Sequence, residues 1–151
     1  MEKLKFFQTA YAHCDIPCGI YDPHAAQIGA LTVIRMIDLM KEHKDDLEAR
    51  TRCIAVKEKH AELVKHEIRV IWGDYFKPEH FEKYPELHEL AHEIMRLASK
   101  TRQASDREQS MQLLEKINRF SEIFWDTKGK KTKRVNAPYK PEEQIVIPVL
   151  E

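Results

Sequence analysis

Glycine and proline are scarce, at 4 and 7 among 151 residues, and most prolines lie near the N-terminal cysteines, in the middle of the chain or in the tail. Long segments therefore carry no turn signal, which favours helices. There is no excess of charge of either sign: 25 basic residues balance 25 acidic ones. No global field draws the chain to nucleic acid or to an acidic partner. No apolar run approaches the roughly 18 residues that cross a bilayer, so no membrane partner is expected. Cysteine is sparse and odd in number, 3 in all, with two of them in one short loop. That argues against a secreted disulfide scaffold and for metal or redox use of the close pair. The length suits one domain with a real core.

What is present is concentrated near the start. The stretch His13-Cys14-Asp15-Ile16-Pro17-Cys18-Gly19-Ile20-Tyr21-Asp22-Pro23 packs an imidazole and two thiols into six residues. Before it, residues 1–12 read as a leader, with Ala10-Tyr11-Ala12 resembling a small-x-small cleavage site. Their apolar part is shorter than the about 7–15 residues of an export signal. Cleavage and a retained, frayed terminus are both open.

The remainder predicts four amphipathic helices. Asp22-Pro23 is a helix-start signal. A first helix to about residue 44 carries Leu31, Val33, Ile34, Met36, Ile37 and Met40. Residues 44–46 read as a turn. A second helix over 47–75 has one stripe of Ile54, Ala61, Val64, Ile68 and Ile71, and another of Cys53, Val56, His60, Leu63 and Val70. Cys53 reads as a buried packing residue. A third helix over 80–100 carries Phe81, Tyr84, Leu87, Ala91, Ile94 and Ala98, with Pro85 marking a late start or a kink. A fourth, capped by Ser105 or Asp106, ends near Thr127. Short connections between four such segments predict an all-α, up-down four-helix bundle with an N-terminal metal-binding hook and a C-terminal extension. Residues 128–134 read as a basic, solvated linker. Residues 145–150 form a short strand or packing arm. The domain plan is thus leader 1–12, hook and bundle 13–127, linker and tail 128–151.

The hook has chemistry of its own. If the chain begins at His13, its free amine, the next backbone nitrogen and the Cys14 thiolate lie a few bonds apart. Together they wrap a metal in fused chelate rings, and Cys18 closes the fourth side. Two nitrogens and two sulfurs in a plane suit Ni(II) or Cu(II). Thiolates reduce Cu(II), which favours nickel. The His13 imidazole remains as a fifth ligand, and anionic donors stabilise the oxidised ion. A Cys-x-x-x-Cys pair alone is a weak signal, however. Incidental thiols and zinc remain open on that fragment, although zinc would want a fourth protein ligand.

The whole hook, His13 to Pro23, resembles the metal-binding hook of nickel-containing superoxide dismutases. The blocks Trp72 to Pro78, His80 to His88 and Ile123-Phe124-Trp125 resemble that family too. The resemblance covers residues 12–128. It implies removal of the leader by a processing protease, so that His13 becomes the N-terminus. It implies nickel held by the His13 amine and imidazole, the Cys14 amide nitrogen and thiolate, and the Cys18 thiolate. It implies a homohexamer of four-helix bundles that converts superoxide to oxygen and hydrogen peroxide through Ni(III)/Ni(II) cycling. Tyr21 matches the hook tyrosine near the open face of the metal, where it excludes larger molecules and orders water; packing alone is the other reading. Tyr75 matches its hydrogen-bonding neighbour. Asp15 braces the loop, and Pro17 fits the family's cis peptide.

Two positions depart. The family's acidic residue on the first helix is Gly29 here, and its arginine on the second is His60. Together those residues support the axial imidazole, so altered support for His13 is expected. A half-buried core histidine is the other reading of His60. A cytoplasmic enzyme with a dedicated protease follows from the missing export signal. The alternatives are a non-catalytic metal-carrying or thiol-redox protein, and a helical interaction module with an incidental cysteine pair.

Overall fold

The computed structural model describes residues 19–150. The hook residues His13, Cys14, Asp15, Pro17 and Cys18 lie outside the described residues, as does the leader. Five α-helices and a hairpin follow in order: α1 (His24–Glu42), α2 (Leu47–Val70), a π-helical turn (Ile71–Tyr75), α3 (Pro78–Lys83), α4 (Leu87–Gln103), α5 (Arg107–Thr127), β1 (Thr132–Asn136) and β2 (Gln144–Pro148).

The helix starts are those the side chains dictate. The Asp22 carboxylate accepts from the His24 amide at 2.8 Å, ahead of α1. Asp46 caps α2 by accepting from the Ala49 amide at 2.9 Å. Asp106, not Ser105, caps α5 through the Gln109 amide at 3.2 Å. Each satisfies a backbone donor that a helix start leaves without an internal partner.

The four long helices close a ring, α1 against α2, α2 against α4, α4 against α5 and α5 back against α1. Ala26, Ala30 and Ile34 from α1 meet Val64 and Ile68 from α2, Leu87 and Ile94 from α4, and Ile117, Phe120 and Phe124 from α5. Burying each large aliphatic or aromatic side chain contributes about 1.5–3 kcal/mol. A second cluster of Val33, Ile37, Met40, Cys53 and Ala61 fills the far end of the α1–α2 seam. Cys53 is buried there as a packing residue, as its place on the stripe indicated.

Three expectations are corrected. The second helix is not one α-helix to Tyr75: its last five residues widen into a π turn, with the Phe76 amide reaching back to the Ile71 carbonyl. Pro78 then stops it. The third helix is two helices, because Pro85 lies in a break between Lys83 and Leu87. Finally, only part of the second helix's apolar pattern is core. Ala61, Val64 and Ile68 are buried, whereas Ile54, Val56 and Leu63 are exposed. They lie outside the sector of α2 that α1 and α4 cover.

The basic linker is also partly structured. Thr132–Asn136 pairs antiparallel with Gln144–Pro148, Val135 facing Ile145. The strand expected near the C-terminus is therefore present, and its partner is the end of the basic stretch. Ala137 and Ile145 join the main core, with Val135 and Ile147 packed against it. A polar seam fixes the hairpin. The buried Gln27 amide of α1 donates to the Val146 carbonyl at 3.0 Å, and the Asn118 amide of α5 donates to the Gln144 carbonyl at 2.9 Å. Those carbonyls belong to the edge of β2 that β1 does not use, so the helices cover that edge. Arg107 bridges Asp38 and Glu143, and Arg134 bridges Glu115 and Glu122, tying the same hairpin to α1 and α5.

Candidate metal centre

The described chain begins one residue after Cys18. Gly19 has φ +87°, a left-handed conformation that side chains rarely adopt. Two residues later Tyr21 is half-buried against the main core. The Asp22-Pro23 helix start then fixes the direction of α1.

Tyr21 meets Tyr75, with ring centroids 5.7 Å apart and planes tilted by 53°. The two are 54 positions apart in the sequence, and the π turn is what presents Tyr75 at this place. Such wide turns occur often at functional positions. Tyr75 is held on several sides. His80 stacks at 5.6 Å with an interplanar angle of 14°, Phe124 lies at 4.8 Å, and the Lys128 ammonium sits 4.7 Å from the ring centroid. The Tyr75 hydroxyl is 2.8 Å from Thr127 Oγ1. His80 is itself pinned, since its Nδ1 accepts from the Lys77 amide at 3.1 Å.

The rest of the resembling blocks forms one aromatic belt around this point. Trp72 donates its indole N–H to His88 at 3.2 Å, and His88 stacks on Phe81. Tyr84 and Lys83 both reach the Asp126 carboxylate, which these partners hold below the usual carboxylate range. This ties the α3 segment to the end of α5, beside Thr127.

His60 lies on α2 with its backbone against α1. A Cβ built on Gly29 would stand 3.3 Å from the His60 carbonyl and 2.8 Å from Val64 Cγ2. The missing side chain thus lets α1 and α2 approach closely. The stiff, β-branched Val64 fills the space that an acidic residue's stem would need. His60 Nδ1 lies 2.9 Å from the Val56 carbonyl. A carbonyl only accepts, so Nδ1 carries a proton and donates it to Val56.

We expect Gly29→Glu to destabilise the bundle by about 1–3 kcal/mol through overpacking against Val64. Gly29→Glu with Val64→Ala recovers part of that loss. Thermal melts of the two variants check it; equal melting temperatures for wild type and the single variant refute the close-approach argument.

Among the described residues, no group of three or more His, Cys, Asp or Glu side chains is placed to hold a metal. The donors that the sequence points to, His13, Cys14 and Cys18, lie outside the described residues, and thiolates with nitrogen ligands are a set that suits nickel. No helix among the described residues is long and apolar enough to cross a membrane.

A helical bundle with a packed tyrosine pair, whose first member follows Cys18 by three residues in the sequence, suits a metal-dependent redox enzyme. Comparison with known proteins specifies which. The profile of the family described as nickel-containing superoxide dismutase matches residues 8–128. The nickel superoxide dismutase of Streptomyces coelicolor is 44% identical over 120 residues, covering 80% of this chain and 91% of that protein. That of Streptomyces seoulensis is 44% identical over 117 residues, covering 78% and 88%. A solved native nickel superoxide dismutase superposes with a TM-score of 0.73 at 44% identity, covering 77% of this chain and 99% of that one. This chain belongs to the nickel-containing superoxide dismutase family: it is an oxidoreductase that acts on superoxide and uses nickel. The hairpin lies beyond the matched residues, on the C-terminal side.

Proposed function

We propose that superoxide is converted to oxygen and hydrogen peroxide at the N-terminal hook, with Tyr21 and Tyr75 as its protein-side surroundings. The observation that carries this is the Tyr21–Tyr75 pair, seated three residues after Cys18 and framed by His80, Phe124 and Lys128. His13 through its amine and imidazole, Cys14 through its amide nitrogen and thiolate, and Cys18 through its thiolate are the residues that would hold nickel. When bound there, nickel supplies the one-electron oxidant and reductant that superoxide requires.

The chain's own residues do the rest. Tyr21 narrows the approach, excludes larger molecules and orders water for proton delivery. Tyr75, fixed by its ring contacts, sets the wall behind it. Asp15 and Pro17 shape the loop. An imidazole that holds a metal through one nitrogen donates from the other. An acceptor is what its neighbour must offer, and the Val56 contact commits Nδ1 of His60, so that Nε2 is the nitrogen left to meet it. His60 thereby takes over support of the His13 ring.

The His13 amine becomes a ligand only after residues 1–12 are removed, which calls for a processing protease in the cytoplasm. The bundles assemble as a homohexamer. The exposed apolar residues Val56 and Leu63 on the outer face of α2 are available to such an assembly.

The test is intact mass, elemental analysis and a superoxide assay on protein co-expressed with its protease. Loss of residues 1–12 with one nickel per chain and fast superoxide decay is the expected result. Trimmed, nickel-loaded protein that leaves superoxide to its spontaneous decay overturns the reading. A narrower test is Tyr21→Phe, which keeps nickel and lowers turnover at high superoxide by about tenfold, less than the roughly 10²–10⁴-fold of a group that transfers the proton itself, because Tyr21 acts through water. Unchanged kinetics would reduce Tyr21 to a packing residue.

A further inference from the structure

Thr127 Oγ1 lies between two oxygens. It is 2.6 Å from the Phe124 carbonyl and 2.8 Å from the Tyr75 hydroxyl. At 2.6 Å two oxygens must share a proton, and a carbonyl has none to give. The single proton of Thr127 is therefore committed to Phe124. The proton between Thr127 and Tyr75 must then come from Tyr75, which has only one. Tyr75 consequently presents lone pairs, and no proton, to everything else around it.

The backbone makes this arrangement firm. Thr127 is the last residue of α5, and its bond to the i−3 carbonyl is the usual back-bond of a helical threonine. Gly129, at φ +68°, closes the helix behind it, with its amide on the Asp126 carbonyl at 2.9 Å. His80 and Phe124 hold the Tyr75 ring, so its oxygen stays over Thr127.

We infer that Thr127 is a positioning residue for the superoxide reaction: it takes the Tyr75 proton and makes Tyr75 an acceptor toward the hook. This rests on the reading of Tyr21 and Tyr75 given above. Proton donation toward the hook then falls to Tyr21, or to water that Tyr75 orients by accepting from it. Tyr75 is an orienting group and not a proton source. The path through Thr127 is a dead end, because it stops at a peptide carbonyl.

The experiment uses Thr127→Val, which removes the hydroxyl at nearly constant shape, and Thr127→Ser, which keeps it. In nickel-free protein, the ring-carbon resonance beside the Tyr75 hydroxyl, assigned with Tyr75→Phe, reports whether that hydroxyl donates. We expect it to shift in Thr127→Val and to stay in place in Thr127→Ser. In nickel-loaded protein, Thr127→Val lowers turnover at saturating superoxide about fivefold, the scale of one lost orienting hydrogen bond, at unchanged nickel content. Thr127→Ser retains wild-type turnover. The loss vanishes when Thr127→Val is placed in a Tyr75→Phe background, because Thr127 acts only through that hydroxyl.

An unmoved resonance in Thr127→Val overturns the inference, as does a turnover loss that persists in full without the Tyr75 hydroxyl. If Tyr75→Phe alone leaves turnover unchanged, it is the catalytic role of Tyr75 that fails, and the positioning role of Thr127 fails with it. The resonance then still tells which oxygen carries the proton. Melting curves separate all of these from a folding defect.

Discussion

Cys14→Ser and Cys18→Ser each yield a folded chain that holds no nickel and leaves superoxide to its spontaneous rate. Serine keeps the size but not the anion: its hydroxyl does not ionise at neutral pH, whereas a metal-bound thiol loses its proton outright. The soft sulfur donors that suit nickel are lost with it. The bundle should tolerate either change, because its described core is built from α1, α2, α4, α5 and the hairpin. Elemental analysis and a superoxide assay on trimmed protein read the loss, and a melting curve reads the fold. One nickel per chain with near-normal turnover in either variant sinks the ligand assignment.

Lys57→Met should cost about 3 kcal/mol of stability and lower the melting temperature by about 10 °C, with nickel content per folded chain unchanged. Lys57 is 2% exposed, and its ammonium donates to the carbonyls of Thr101, Arg102 and Ala104 at 2.8, 3.0 and 3.0 Å. Those carbonyls end α4, where a helix has acceptors without internal partners and carries partial negative charge. Burial pulls the ammonium's pKa down from the usual lysine value, with Glu58 opposing it. Three carbonyls for three N–H groups is the compensation that burial requires. Methionine keeps the stem and its packing, so the loss isolates the ammonium. Chemical denaturation measures it, and a change under about 0.5 kcal/mol would show that water replaces the lysine at no cost.

Most of the helical frame was legible because a buried helix face needs apolar residues every three or four positions. Ile34, Val64, Ile68, Ile94, Ile117 and Phe124 announce themselves that way. The hook rests on a different signal: the residues proposed as its ligands are neighbours in sequence, so the spacing carries the chemistry. Lys57 was not legible. A lysine on an amphipathic helix ordinarily faces water, and nothing local says that the end of another helix waits for it. Gln27, Asn118 and Ser121 were hidden in the same way, since polar side chains declare neither their burial nor the strand edge they will cover. Val56 and Leu63 erred in the other direction, apolar by pattern and exposed by placement.

The sequence by itself determined the helical class, the turn at residues 44–46, a cap at Ser105 or Asp106, and the family that the hook residues resemble. These depend on contacts within a few residues, where the backbone already fixes who meets whom. Tertiary structure alone decided that the Tyr75 hydroxyl meets Thr127, that Val64 closes the space beside Gly29, and that the tail folds back as a hairpin on α1 and α5. Each of these joins residues far apart in the chain. Their geometry exists only once the helices have packed, because packing, not spacing, sets those distances.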